Sequence, residues 1–267
     1  MDVVLVKWGG SLITDKTRPR RARHSVIRRL ANELADGQQR GRVRVVLGHG
    51  SGSFGHVAAA EHGLLETSNP RRQAEGIAAV QRDAHDLHHR VTGALREAGA
   101  RAFSLPPSAW ALGREGKVDR LFDAPLLRSL DAGLLPVVFG DVVMGAKGPA
   151  TICSTEQVLL AVATRLRRCG HRVRRVIWLG VTDGVYDDGG DRIPELTHGA
   201  WKSAQRAIGG ANAVDVTGGM RLRVETARRF ARLGIPSWIV DGREAGILVR
   251  TLGRRCDVGT WVPTRPT

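Results

Sequence analysis

The chain has 267 residues, 42% of them hydrophobic, which suits one large domain with a substantial buried core. It carries 41 Lys+Arg against 26 Asp+Glu, a formal net charge of +15, and this balance favours anionic ligands. Aromatics are only 4% and no long Lys/Arg block is present, which speaks against a single-strand nucleic-acid binder; no apolar run approaches the roughly 18 residues of a membrane span.

Taken in chain order, the apolar run 3–8 predicts a strand buried on both faces. A Gly-Gly-Ser turn follows, then an amphipathic helix over 24–37 with Gly37 as its stop. A second buried strand is expected at 43–48, ending in the loop "GHGSGSFGH". One long amphipathic helix is expected over 71–99, unbroken or in two pieces. Further expectations are a strand at 100–105, a helix at 124–133 and a strand at 134–141. A helix over 154–170 opens on Ser154, with Glu156 in its first turn. A strand at 173–180, a helix at 215–234, a strand at 236–242 and a last short strand in "VGTWVP" complete the series. The alternation predicts an α/β fold, a three-layer αβα sandwich with a mostly parallel central sheet. No linker or repeat interrupts it, so a single domain over 1–267 is expected, softly divided near residue 150. The N-terminal run reads as a first strand and not as a signal peptide. Cys153, Cys169 and Cys256 are too far apart for a metal or disulfide framework and read as small hydrophobes. A cytoplasmic setting is expected.

Five motifs carry chemistry. In "KWGGSLITDK" (7–16), Gly9 and Gly10 let backbone amides approach an anion closely, and two lysines flank them. Only five lysines occur among the 41 basic residues, so Lys7 and Lys16 together beside the glycines point to function. The loop at 48–56 has no Walker spacing, and no acidic residue closes a second strand as a dinucleotide fold requires. Its glycines suit a phosphate cradle, His49 reads as structural, and His56 would face the same ligand. Gly140 and Asp141 lie at a strand end in "FGDVV", where the carboxylate is placed to orient a lysine or a metal. "GVTDGVYDDGG" (180–190) reads as a turn or a nucleotide-edge loop. Thr217-Gly218-Gly219 opens a helix whose N-terminus is a second anion site, with Arg221 and Arg223 close behind. Two phosphate-binding places in one domain suit a donor and an acceptor of a phosphoryl group.

These motifs, in this order, resemble the amino acid kinase superfamily and, within it, the isopentenyl phosphate kinases. The family's Lys-x-Gly-Gly-Ser, Ser/Thr-Asp-Lys and Phe-Gly-His loop stand here as "KWGGS", "TDK" and "GSFGH"; "GDVV", "TDGVYD" and "DVTGGM" follow in place. The resemblance covers nearly the whole chain. It implies ATP- and Mg2+-dependent direct transfer to a small phosphate-bearing acceptor, with isopentenyl phosphate becoming the diphosphate. Lys7, Lys16 and His56 would be catalytic. Gly9, Gly10, Ser11, Gly52, Asp183, Gly218 and Arg223 would hold the nucleotide. Ser51, Gly55, His56, Gly140, Asp141 and Thr155 would hold the acceptor. The half over 1–150 would carry the acceptor site and the glycine loops, and the half over 151–267 would bind the nucleotide. A homodimer is implied, with no nucleic-acid or membrane partner. Ile77, Ala78 and Val80 are candidates for contact with a prenyl tail. The chain departs from the family at four places. Ser51 and Thr155-Glu156-Gln157 replace Gly and Gly-Asp-Asp, Arg223 replaces Lys, and the loop at 180 reads "GVTDG" where many members have Thr-Asp-Val-Asp-Gly. The change at 155–157 is expected to disturb how the lysine is held. A kinase for a phosphonate of the fosfomycin type or another alkyl phosphate is an alternative reading. A non-catalytic nucleotide-sensing or nucleic-acid-binding protein on the same fold is another.

Overall fold

The first apolar run becomes the centre of a sheet because it is buried on both sides. In the computed structural model, which describes residues 1–41, 43–61, 69–209, 218–253 and 258–264, β1 (Asp2–Trp8) alternates its side chains between two cores. Val3 and Leu5 face one, and Val4, Val6 and Trp8 face the other. Short α1 (Gly10–Ile13) and α2 (His24–Gly41) follow, then β2 (Arg44–His49), α3 (Gly52–Glu61) and α4 (Pro70–Glu97). The last is a single unbroken helix, opened by Asn69, whose side chain accepts from the Arg71 and Arg72 amides. Next come β3 (Ala102–Ser104), α5 (Pro107–Trp110), β4 (Ala111–Arg114), β5 (Lys117–Leu121), α6 (Ala124–Asp131), β6 (Leu135–Phe139), β7 (Asp141–Val143) and β8 (Thr151–Cys153). The rest is α7 (Thr155–Arg168), β9 (Arg172–Gly180), β10 (Val185–Tyr186), β11 (Arg192–Ile193), α8 (His198–Gly209), α9 (Gly218–Arg232), β12 (Ser237–Asp241), α10 (Ile247–Gly253) and β13 (Thr260–Val262). Ser154 caps α7 as expected, accepting from the Gln157 amide.

Seven strands form one sheet in the order β13-β12-β9-β1-β2-β6-β3. Every neighbouring pair is parallel except β12 with β13. Ile27, Leu30 and Leu34 of α2, Leu87 and Val91 of α4, and Leu248 of α10 cover one face. Leu126 of α6, Leu159 and Leu166 of α7, and Val224 and Phe230 of α9 cover the other. This is the three-layer sandwich expected from the alternation.

Gly37 does not end α2, which runs on to Gly41. A Cβ at Gly37 would stand 2.5 Å from Leu252 Cδ1, so this glycine lets α10 pack closely against α2. Three short two-stranded ribbons, β4–β5, β7–β8 and β10–β11, lie outside the main sheet. Each strand has two to five residues, too few for an alternation pattern to show. Among the described residues no helix is long and apolar enough to cross a membrane. Cys153 is buried and Cys169 is exposed, both free; Cys256 lies outside the described residues.

Candidate active site

In a parallel sheet the carboxyl ends of adjacent strands share one edge, and loops that leave it converge. Here the loops after β1 and β2 interlock through their backbones. A Cβ on Gly10 would lie 2.6 Å from the Gly52 amide nitrogen, and one on Gly50 would lie 2.7 Å from the Gly10 nitrogen. Gly52 has φ +51°, in the left-handed region, and any side chain there would collide with Thr14. Thr14 ties the two loops: its hydroxyl donates to the Gly10 carbonyl at 2.8 Å and accepts from the Ser53 amide at 3.0 Å. Helices α1 and α3 both begin at this contact, so the first-turn amides of Gly10, Ser11 and Gly52 have no partner within their own helices. Gly55 sits behind Ser51; a Cβ there would be 2.7 Å from Ser51 Oγ.

Lys7 lies beside this junction, at the end of β1. Its Nζ donates to Glu156 Oε1 at 2.8 Å, and both side chains are nearly sealed from solvent, at 6% and 7% exposure. Burial pushes the Lys7 ammonium below the usual lysine range, Glu156 opposes that, and Arg223 adds to it. Burial alone would raise the Glu156 carboxyl, but Lys7 and Arg223 together hold it below the ordinary carboxylate range. Arg223 reaches in from α9 and lies over two glycines. A Cβ on Gly180 would stand 2.6 Å from its Nη1, and one on Gly9 would be 3.7 Å from its Nη2. Its Nε is buried without a hydrogen-bond partner among the described residues. Two buried cations thus share one carboxylate, which leaves the cradle one net positive charge.

Lys16 is exposed, on the loop that follows α1. That loop is pinned from outside by Arg20, which binds Asp83 at 2.5 Å and Glu61 at 2.6 Å. Arg20 itself takes φ +53°, an uncommon conformation for a residue with a side chain. The Thr155 hydroxyl donates to the His49 carbonyl at 2.7 Å, and its methyl group fills the space over Gly48. A Cβ on Gly140 would come within 3.3 Å of Thr155. Asp141 is turned elsewhere: it accepts from the Ser108 and Val142 amides at 3.0 and 2.9 Å and stands 4.0 Å from His85 Nε2. The carboxylate that orients Lys7 is therefore Glu156 and not Asp141. Asp183 is bound to Tyr186 and lies 3.6 Å from Arg192. Gly218 is the first residue of α9; Thr217 lies outside the described residues. Arg221 forms an ordinary surface pair with Glu225 at 3.0 Å, so of the two arginines only Arg223 enters the cluster. His56 falls in the second turn of α3, and its side chain lies outside the described residues. Ile77 and Val80 pack on Val142, Ala150 and Ile152, while Ala78 is exposed and takes no part.

Residues 2–241 match the model of the amino acid kinase family. The chain belongs to the amino acid kinase family. Within it, the chain is 35% identical to the isopentenyl phosphate kinase of Haloferax volcanii, over 94% of this chain and 99% of that protein. It is 31% identical to the isopentenyl phosphate kinase of Methanothermobacter thermautotrophicus, over 94% and 95%. A crystal structure of isopentenyl phosphate kinase superposes with a TM-score of 0.78 at 28% identity, covering 97% of this chain and 99% of that one.

Glu156 is the site residue this amino acid kinase sequence hides best. Read along the chain it is a helix-dipole residue in the first turn of α7, and only the fold brings it to Lys7 across 149 positions. The expected disturbance at 155–157 does not occur, because Glu156 supplies a carboxylate at hydrogen-bond distance from the lysine.

Proposed function

We infer that this kinase transfers the γ-phosphoryl group of ATP directly to isopentenyl phosphate, giving isopentenyl diphosphate and ADP. An acceptor phosphate oxygen attacks the γ-phosphorus, and the bond to the bridging oxygen of ADP breaks. The observation that carries this reading is the Lys7–Glu156–Arg223 cluster. A hydroxyl acceptor needs a base to remove its proton. A phosphate monoester, with a second pKa near 6 (roughly), is already ionised at neutral pH and needs none. Glu156, engaged by two cations, is unsuited to act as a base, whereas the net positive cradle suits an anionic acceptor and a γ-phosphoryl group in transit.

In this reading Lys7, Lys16 and Arg223 balance charge on the transferring group. The Gly9–Gly10–Ser11 turn and Gly52 present amides to ATP, with Asp183 and Gly218 on the nucleotide side. Ser51, Gly55, His56, Gly140 and Thr155 form the acceptor side, where Asp141 holds the backbone through the Ser108 and Val142 amides. The first half of the chain thus carries the glycine loops and most of the acceptor side, and the second half the rest of the nucleotide side. Ile77 and Val80, with Val142 and Ile152, offer an apolar wall for the prenyl tail. Mg2+ enters as a companion of the ATP phosphates, which it neutralises. Among the described residues no three His, Cys, Asp or Glu side chains gather to hold it, and such ions commonly keep water and phosphate ligands. A cytoplasmic homodimer belongs to the same proposal, with exposed Phe122 and Met144 as surface for a second copy.

Acceptor profiling tests the reading. Purified protein with ATP and Mg2+ is given isopentenyl phosphate, simple alkyl phosphates and fosfomycin, and products are followed by phosphorus NMR. Isopentenyl phosphate is expected to have the highest kcat/KM. Equal or better turnover of fosfomycin or plain alkyl phosphates overturns the acceptor assignment. Salt-sensitive retention on DNA without ATP turnover overturns the enzyme reading.

A further inference from the structure

Beneath the glycine loop lies a buried histidine chain that the transfer chemistry does not use. His49 closes β2, and its ring stacks with His88 of α4 and Phe139 of β6, with centroids 5.3 Å from each. Its Nδ1 is 3.3 Å from the Gly50 carbonyl oxygen, and its Nε2 is 3.0 Å from His88 Nδ1. His88 Nε2 in turn is 2.7 Å from Ser104 Oγ on the edge strand β3.

Elimination fixes every proton in this chain. A carbonyl oxygen only accepts, so His49 Nδ1 carries a hydrogen. A neutral imidazole has one N–H, so His49 Nε2 accepts and His88 Nδ1 donates. His88 Nε2 then accepts, and the Ser104 hydroxyl donates. Both rings are neutral. Burial, with Lys7 adding, pushes His49 down to about 4. Burial, with His49, His85 and His89 adding, pushes His88 down to about 2.

The anchored atom matters because of peptide geometry. A trans peptide sets its carbonyl and the following N–H on opposite sides of the chain. Holding the Gly50 oxygen against His49 therefore aims the Ser51 amide away from that ring. Gly50 is fixed at its other end too, where its N–H donates to the Trp8 carbonyl at 2.9 Å.

We propose that His88 is a positioning residue for phosphoryl transfer: by donating to His49 it locks the Gly50–Ser51 peptide with the Ser51 amide turned toward the acceptor phosphate. This rests on the reading of the loop as the acceptor cradle. His88→Phe keeps a stacking ring but loses the donor. Its kcat/KM for the acceptor is expected to fall about tenfold, the worth of roughly one hydrogen bond to a charged group, with a smaller change in KM for ATP. His88→Asn places an N–H where Nδ1 stood and restores most of the loss. His88→Gln places its amide toward Ser104 and does not.

Nitrogen-15 NMR of histidine-labelled protein reads the chain without any substrate. His49 and His88 are both expected to carry hydrogen on Nδ1 and a bare Nε2. Ser104→Ala changes an exposed strand end and spares the core; it removes the donor to His88 Nε2 and is expected to shift that nitrogen's resonance while the hydrogen stays on Nδ1, held by His49. A His49 protonated at Nε2, a His88 bare at Nδ1, or equal kcat/KM for the Phe, Asn and Gln variants overturns the proposal. If the NMR pattern holds while isopentenyl phosphate is not turned over, the acceptor reading fails and the histidine chain stands.

Discussion

Glu156→Gln keeps the shape of the side chain and removes its charge. Lys7 and Arg223 then share a buried space with no carboxylate to balance them. Removing one partner of a buried pair costs about 3–5 kcal/mol. With an unfolding entropy near 2.1 cal/mol/K per residue (roughly) over 267 residues, the melting midpoint falls by roughly 5–9 °C. ATP phosphates bring negative charge to the same two cations, so saturating nucleotide should restore more stability in the variant than in the wild type. Calorimetry with and without an ATP analogue measures both effects, and kcat is expected to drop because Lys7 is no longer held. Lys7→Met/Glu156→Gln leaves one buried cation, Arg223, where the single variant leaves two in repulsion, and should recover part of the loss. A single variant that melts within about 1 °C of the wild type, the range of an ordinary surface change, would refute the argument. So would a double variant no more stable than the single one.

Gly180→Ala sets a Cβ 2.6 Å from Arg223 Nη1 and must displace the guanidinium. KM for ATP is expected to rise about tenfold, the loss of one charge-assisted contact, and an unchanged KM in steady-state kinetics removes Arg223 from the nucleotide side. His56→Ala is expected to abolish transfer to a phosphate-bearing acceptor while ATP binding, measured by titration calorimetry, stays nearly intact; undiminished turnover takes His56 out of the site. His49 titrates at about 4 in the fold against 6.5 ordinarily, so between those values the unfolded chain binds a proton that the folded chain does not. Its stabilising contribution is complete above pH 6.5 and is lost as pH falls toward 4, a difference of about 3 kcal/mol at ~1.4 kcal/mol per unit. Urea unfolding from pH 7 to 4.5 should show His49→Phe losing stability less steeply than the wild type; parallel profiles contradict this.

The long elements were legible because their patterns are long. The continuous apolar run at 3–8 and the capped helix after Ser154 announce themselves within a few residues. Gly37 was misread because a glycine that ends a helix and one that admits a neighbour look alike along the chain. The difference lies in Leu252, which only the fold brings close. The short ribbons left no trace, since strands of two to five residues cannot show a period. The glycine junction was visible as composition, but the contact between Gly10, Gly50 and Gly52 was not. The same holds for Lys7 with Glu156 and His49 with His88, whose members are 149 and 39 positions apart.

The two buried cations differ in kind for a physical reason. Arginine is this chain's ordinary basic residue, yet Lys7 remains lysine. It sits at the end of the central strand, almost wholly enclosed, where a compact ammonium can meet one carboxylate oxygen at 2.8 Å. A planar guanidinium in that slot would crowd the strand end and the glycine turn after it. Arg223 approaches from a helix and lies flat over Gly9 and Gly180, a surface without side chains that fits a planar fork. One cation is therefore a point charge held by a single acid, and the other is a fork whose Nε has no partner among the described residues. That division suits a transferring phosphoryl group. On the proposed function, Lys7 would meet concentrated charge from a fixed position, and Arg223 would offer several donors to phosphate oxygens. With Glu156 occupied by both, the site holds positive charge without offering a base, which favours an acceptor that arrives already ionised.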